Sequence, residues 1–272
     1  TINGNSWNPV EAQILSVWKD YHLILVQETR ICEPTTPHSN DRLSKIAARL
    51  SQAGFRVWHN FATRTSKGGI SCGVSIVYKS HLHTVGCEDF MSHRASGITL
   101  LVKGLGKVVV GAVYLDVAGV DMEKGAQLAS IVQGLEQQGI EHIWLGGDWN
   151  TTPELLMQHV PIIVRGHFVS SGEATCRTRG KENNEWVENQ LDYYWLGHKD
   201  RLLVKQCGLA TQGHTAPHTG VSITLQVRTN AKVAVVERPR LAKEAVQGPL
   251  PEVMYEQAKD IASKARHYAQ QQ

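Results

Sequence analysis

The chain has 272 residues, with 28 lysines and arginines against 25 acids, enough to bury a sizeable core in one large α/β domain or two small ones. Eight of the basic and five of the acidic residues lie from Arg228 onward, so residues 1–227 balance at 20 each, and net charge gives no separate support for a nucleic-acid partner. Cys32, Cys72, Cys87, Cys176 and Cys207 are scattered without a CxxC pair and no apolar run is long enough to span a bilayer, so the sequence offers no zinc cage, disulfide framework or membrane helix and points to a reducing, intracellular setting.

Residues 1–6 read as a first strand and its turn. Thr1 is not an initiator methionine, and the chain is expected to be a piece of something longer, such as a polyprotein. In residues 9–21, Val10, Ile14, Leu15 and Trp18 recur at helical spacing, with Asn8 as the N-cap and Pro9 at the first helical position. The apolar run from Leu23 to Val26 is a buried strand that ends in Gln27 and Glu28. Glu28 fits either a functional carboxylate or a structural acid paired with Arg30.

Residues 41–54 form a second helix, with Leu43, Ile46, Ala47 and Leu50 on one face and Gly54 at its end. Strands are expected at 55–60, 70–78, 97–102 and 108–115, joined as antiparallel hairpins by Gly68, Gly69, Gly73 and the GLGK turn at 104–107. GLGK lacks the glycine spacing and Lys-Ser/Thr ending of a phosphate loop. Tyr114 ends the run VVVGAVY and reads as an interfacial core residue unless other strand ends converge beside it.

A helix is expected at 125–138, with Leu128, Ile131, Val132 and Leu135 inward. The stretch IWLGGDWNTTP (143–153) then passes from three apolar residues through Gly146 and Gly147 to Asp148, Trp149 and Asn150. On extended backbone, a carboxylate and a carboxamide two residues apart face the same side and reach one substrate group. The plainer reading is a polar turn in which both bond the backbone. The two glycines are expected to let metal and phosphate approach the backbone closely.

A strand is expected at 160–165, followed by a polar loop, CRTRGKENNEW (176–186). In that loop Arg177, Arg179 and Lys181 beside an aromatic suit phosphate contact, or simply a solvated surface. LDYYWLG (191–197) places Asp192 at a strand terminus. In HTAPH, His214 and His218 are four apart, but Pro217 prevents the helix that a zinc pair at that spacing needs. GVSITLQV is the last strand of a domain covering residues 1–227. Residues 228–272 read as a linker containing Pro239, Pro249 and Pro251, then a helix with the stripe Met254, Ala258, Ile261, Ala265 and Tyr268.

Polar groups thus recur at strand ends: Asn3, Glu28, Tyr114, Asp148 with Asn150, Asp192 and His218. In the segments TIN, LVQET, VYL, GDWN, LDYYWL and APH, this series resembles the endonuclease/exonuclease/phosphatase superfamily. The likeness is strongest to apurinic/apyrimidinic endonucleases and the endonuclease domains of non-LTR retrotransposons. It implies a DNase-I-like fold, a four-layered α/β sandwich of two packed mixed β-sheets flanked by helices.

The resemblance further implies phosphodiester hydrolysis of DNA, or another nucleic acid, by a monomeric, intracellular domain, with the nucleus as one candidate compartment. It implies Mg²⁺, with Mn²⁺ as second candidate, held by Glu28 and Asn3. Asp148 orients and deprotonates water, Asn150 fixes the geometry, and His218, oriented and kept cationic by Asp192, stabilises the phosphoryl oxygens with Tyr114. The closing motif departs from the family. Pro217 stands where relatives carry an aspartate, and Asn5 where some of the apurinic/apyrimidinic enzymes do. The alternatives are a weakened relative that binds nucleic acid or protein, and a phosphodiesterase acting on a lipid or inositol phosphate.

Overall fold

The computed structural model describes residues 1–179 and 185–227, without the side chains of residues 211–215. Lys181, the His214 side chain and the linker and helix expected after residue 227 lie outside the described residues.

Two sheets carry most of the chain. One has six strands in the order β11 (Gly166–Val169), β14 (Asp192–Gly197), β10 (His142–Asp148), β9 (Gly106–Tyr114), β8 (Ala95–Val102) and β7 (Thr84–Met91). In it β9 and β10 run parallel, joined across α3 (Asp121–Gln137), and the other pairs are antiparallel. The second sheet orders β1 (Ile2–Asn3), β2 (Leu23–Gln27), β6 (Val74–Lys79) and β3 (Phe55–Asn60). Its parallel β1–β2 pair is joined through α1 (Trp7–Ser16).

A further sheet orders β13 (Trp186–Asn189), β12 (Cys176–Arg179), β16 (His218–Leu225) and β15 (Val204–Thr215). Its strand β16 also flanks β1, where the Val221 N–H donates to the Thr1 carbonyl at 2.9 Å. Short β4 (Thr63–Arg64) and β5 (Ile70–Ser71) pair separately.

Strand alternation sorts the apolar side chains into three clusters. Leu25, Val74 and Ile76 of the second sheet meet Ile98, Val110, Tyr114 and Trp144 of the first. On the other face of the six-stranded sheet, Val109, Val113, Leu145 and Trp195 meet Leu128, Ile131 and Leu135 of α3 and Leu156 of α4 (Pro153–His159). On the other face of the second sheet, Ile24, Val26 and Val77 pack on Val10 and Ile14 of α1 and on Ile46 and Leu50 of α2 (Pro37–Gln52).

Several boundaries differ from expectation. Helix α1 starts after Ser6, not Asn8, and Pro9 sits in its first turn, where backbone N–H groups have no intrahelical acceptor and a proline costs nothing. The helix stops at Ser16, although Trp18 remains buried. Helix α2 begins four residues early, because Thr36 and Ser39 form a reciprocal capping box around Pro37.

The strand expected at 160–165 is a turn with Ile162 and Ile163 exposed, and pairing begins only at Gly166. There a Cβ would overlap the Trp195 ring, so glycine is what lets β11 approach β14. The loop expected at 176–186 is instead, among the described residues, the paired strands β12 and β13.

An apolar cavity of about 600 Å³ lies between β2 and β16, with Trp18, Leu23, Trp144, Tyr194 and Ile223 in its wall. None of the polar strand-end residues lines it.

Candidate active site

Register alone brings three of the expected residues together. Asp148 at the end of β10 lies opposite Tyr114 of β9 and opposite Asp192 of β14, so the three form one cross-strand row with side chains on the same face. That face looks toward the second sheet. From there Asn3 Nδ2 donates to Asp148 Oδ2 at 2.7 Å, and Tyr114 donates through its hydroxyl to Glu28 Oε1 at 2.9 Å. Asn3 and Gln27 are register partners in β1 and β2, which sets Glu28 at the same end.

His218, the first residue of β16, completes the cluster. Its Nδ1 donates to Asp192 Oδ2 at 2.9 Å, and its Nε2 lies 3.9 Å from Asp148 Oδ2 and 3.6 Å from the Cys176 sulfur. Asn3, Tyr114, Asp148, Asp192 and His218 are all buried.

Thr175 ties the pair down: its hydroxyl oxygen accepts the backbone N–H groups of Leu191 and Asp192, both at 2.9 Å, and its carbonyl accepts that of Thr219 at 2.7 Å. No sequence pattern marks Thr175. Cys176, which faces His218 in register, stands in the sequence as one of five scattered cysteines and the start of the polar loop, with nothing to link it to His218.

The electrostatics follow from this burial. Asp148 is raised above the usual carboxylate range, first by desolvation and next by the Asp192 charge, against the pull of His218, Asn3 and the Asn150 N–H. For His218 burial opposes the charge. The hydrogen bond to Asp192, the Cys176 contact and the charges of Asp192 and Asp148 override it and raise the imidazolium well above its ordinary value. Tyr114 is raised by burial and then by Glu28, and it stays a neutral phenol that can donate.

Asn150 does not share the face of Asp148 as extended backbone would require. Strand β10 stops at Asp148, and Asn150 turns left-handed with φ 48°. Its backbone N–H donates to Asp148 Oδ1 at 3.1 Å and its side-chain Nδ2 to the Leu115 carbonyl at 2.8 Å. This is the polar-turn alternative, with Asn150 holding Asp148 from behind.

The glycines before it serve packing, not ligand approach. A Cβ on Gly146 would lie 2.7 Å from Leu25 and Tyr194 side-chain atoms, and one on Gly147 would overlap the Val113 carbonyl. Arg177 and Arg179 stay outside the cluster. They lie over the half-exposed Trp186 ring at 4.8 and 5.1 Å, and Arg177 also pairs with Glu188 at 3.3 Å. The hairpin that carries them is rooted at the site by the Cys176–His218 pairing.

Asp148, Asp192 and His218 present ligand atoms within 4.8 Å of one another. A charged His218 has no lone pair for a cation, so this trio fits a paired imidazolium better than a metal cage. Glu28, Asn3 and Asp148 are instead carboxylate and amide oxygens, the hard donors that suit Mg²⁺ or Mn²⁺.

No protein-family model and no curated protein sequence matches the chain. Solved structures do. The endonuclease domain of TRAS1, a telomere-specific non-LTR retrotransposon, aligns over 82% of this chain and 94% of its own, with TM-score 0.58 and 13% identity. The 3′-5′ exonuclease NExo from Neisseria meningitidis aligns over 83% and 98%, with TM-score 0.55 and 15% identity. D. rerio TDP2, complexed with single-strand DNA product, aligns over 82% and 96%, with TM-score 0.53 and 14% identity. The chain thus shares the fold of these structures, the DNase-I-like fold expected from its strand-end motifs. No helix of the described residues is long and apolar enough to cross a membrane.

Proposed function

We propose that this chain is a metal-dependent phosphodiesterase that cuts DNA as a monomeric intracellular domain, an endonuclease of the retrotransposon or apurinic/apyrimidinic type. The observation that carries the reading is the linked series Asn3–Asp148–His218–Asp192, which joins the facing ends of the sheets with Tyr114–Glu28 beside it. The three apolar clusters support a four-layered sandwich as its frame.

Glu28 and Asn3 are the residues that would hold Mg²⁺ or Mn²⁺, whose chemistry at this site is to neutralise charge on the phosphate oxygens. Asp148, raised by burial and backed by Asn150, takes the proton of the attacking water. His218, kept cationic by Asp192, and the neutral Tyr114 donate to phosphoryl oxygens as charge builds there. Arg177 and Arg179 contact the nucleic-acid backbone from the β12–β13 hairpin, and Lys181 is the third cation proposed for that contact.

A second reading rests on Pro217. Where relatives have an aspartate, this chain has an exposed proline whose carbonyl accepts the Arg177 N–H at 3.1 Å. A site lacking that charge would retain DNA without cutting it.

Incubating the purified protein with supercoiled, abasic and single-stranded DNA, in Mg²⁺ and in Mn²⁺, separates the two. We expect metal-dependent nicking that falls roughly a hundredfold or more in Asp148→Asn and in His218→Ala. DNA left intact under every condition sinks the nuclease reading, and retention without cleavage favours the binding module.

A further inference from the structure

The residue after next from Asp148 sits in a backbone conformation that few side chains tolerate, and something must hold it there. Asn150 has φ 48°, a left-handed region that asparagine enters more readily than other non-glycine residues and in which its surroundings must hold it. Two of its groups are bonded within the site, the N–H to Asp148 Oδ1 and the side chain to the Leu115 carbonyl. Its carbonyl points the other way, toward α3, and there it accepts from Lys124 Nζ at 2.6 Å.

Lys124 is an unusual residue for that place. It lies on the inward stripe of α3 with Leu128, Ile131 and Leu135, and its side chain is 4% exposed. A lysine that buried is retained only where its charge is satisfied. Asp121, one turn back at 3.6 Å, supplies a carboxylate, and the Asn150 carbonyl supplies the close acceptor.

Resting on the nuclease reading, we infer that Lys124 is a positioning residue for hydrolysis. By clamping the Asn150 carbonyl it sets the left-handed turn whose N–H aims the Asp148 carboxylate. The neighbouring Thr151 carbonyl is held by the Tyr193 hydroxyl at 3.1 Å. Lys124 is therefore the charged member of a set of clamps on this one loop, and it acts without touching substrate.

The test is a double-mutant cycle read in kcat and KM on the best-cleaved DNA substrate. Lys124→Met keeps the length of the stem and loses the donor. It should lower kcat roughly ten- to a hundredfold with KM little changed, the scale expected when a reacting group is displaced by about an ångström. In an Asn150→Ala background, where loss of the Leu115 bond and a residue less tolerant of φ 48° have already loosened the turn, the same change should cost less than about threefold. Lys124→Arg, which restores a donor, should recover part of the loss.

Equal losses in both backgrounds, or full kcat in Lys124→Met, overturn the proposal. Amide hydrogen exchange of Asn150 gives a second readout that needs no catalysis: the N–H on Asp148 should exchange faster in Lys124→Met, and unchanged protection also overturns it. If wild type cuts nothing while this exchange still depends on Lys124, the nuclease reading has failed and the clamp has not. Should Lys124→Met not fold, Lys124→Leu, which also lacks a donor, carries the same comparison.

Discussion

His59 shows how one side chain couples this fold to pH. It packs edge-on against Trp7, with ring centroids 5.2 Å apart, and its Nδ1 lies 2.7 Å from the Ser75 hydroxyl. Burial pushes it down from 6.5 to about 4. A histidine lowered on folding binds fewer protons than in the unfolded chain, so its contribution is complete above pH 6.5 and is lost as pH falls toward 4. The full shift corresponds to roughly 3 kcal/mol. Urea unfolding at pH 7 and pH 4.5 should therefore show a larger loss for wild type than for His59→Gln. Equal losses in the two proteins would remove His59 from the account. Asp148 follows burial in the same way, toward its neutral form, whereas His218 is carried the other way by Asp192, Cys176 and Asp148, where His59 has only aromatic rings and a hydroxyl beside it.

At the scale of elements, the glycines of β10 and α3 separate two kinds of small residue. Gly147 lies opposite Val113 in the parallel β9–β10 ladder, and an added methyl would meet the Val113 carbonyl, which the sheet holds fixed. Gly134, within α3, has no atom within 4 Å of where its Cβ would be. Gly147→Ala should thus destabilise by about 3 kcal/mol or more, as forced overpacking against backbone does. Gly134→Ala should stabilise by up to about 1 kcal/mol through helix propensity. Chemical denaturation of both variants checks the pair, and a well-tolerated Gly147→Ala would mean that the ladder can open.

These elements also show what the sequence disclosed. Long apolar runs such as 23–26 and 143–145 announced buried strands, and the acids beyond them announced the site, because burial on both faces leaves a polar residue room only at a strand's end. Pairing partners were not legible. The Ile162–Ile163 run looked like a strand, yet the sheet edge is taken by Gly166–Val169, whose glycine fits against Trp195. The direction of Asn150 was lost for a related reason, since alternation holds only while the strand continues, and it ends two residues earlier. Lys124 fell just outside the helix expected at 125–138, and only the earlier start at Asp121 sets it on the inward face of α3.

For the whole molecule, the placement of acids at one end of packed sheets makes stability a reporter of metal binding. Asp148 and Asp192 are buried there and Glu28 is half-buried, with His218 as the cation within the cluster. A divalent ion that binds only the folded chain stabilises it by RT ln(1 + [L]/Kd), about 1.4 kcal/mol at ten times Kd. In a domain of more than 200 residues that is a rise in Tm of roughly 3–6 °C. Melting in Mg²⁺ against EDTA should show this rise, and the variant that loses it identifies the holder. If Glu28 and Asn3 bind the ion, Glu28→Gln should abolish the rise while His218→Ala keeps it, since removing a nearby cation does not weaken attraction for another. If the ion instead sits among Asp148, Asp192 and His218, the pattern reverses, because His218→Ala then deletes a ligand. Either result comes from the folded protein alone, before any substrate is chosen.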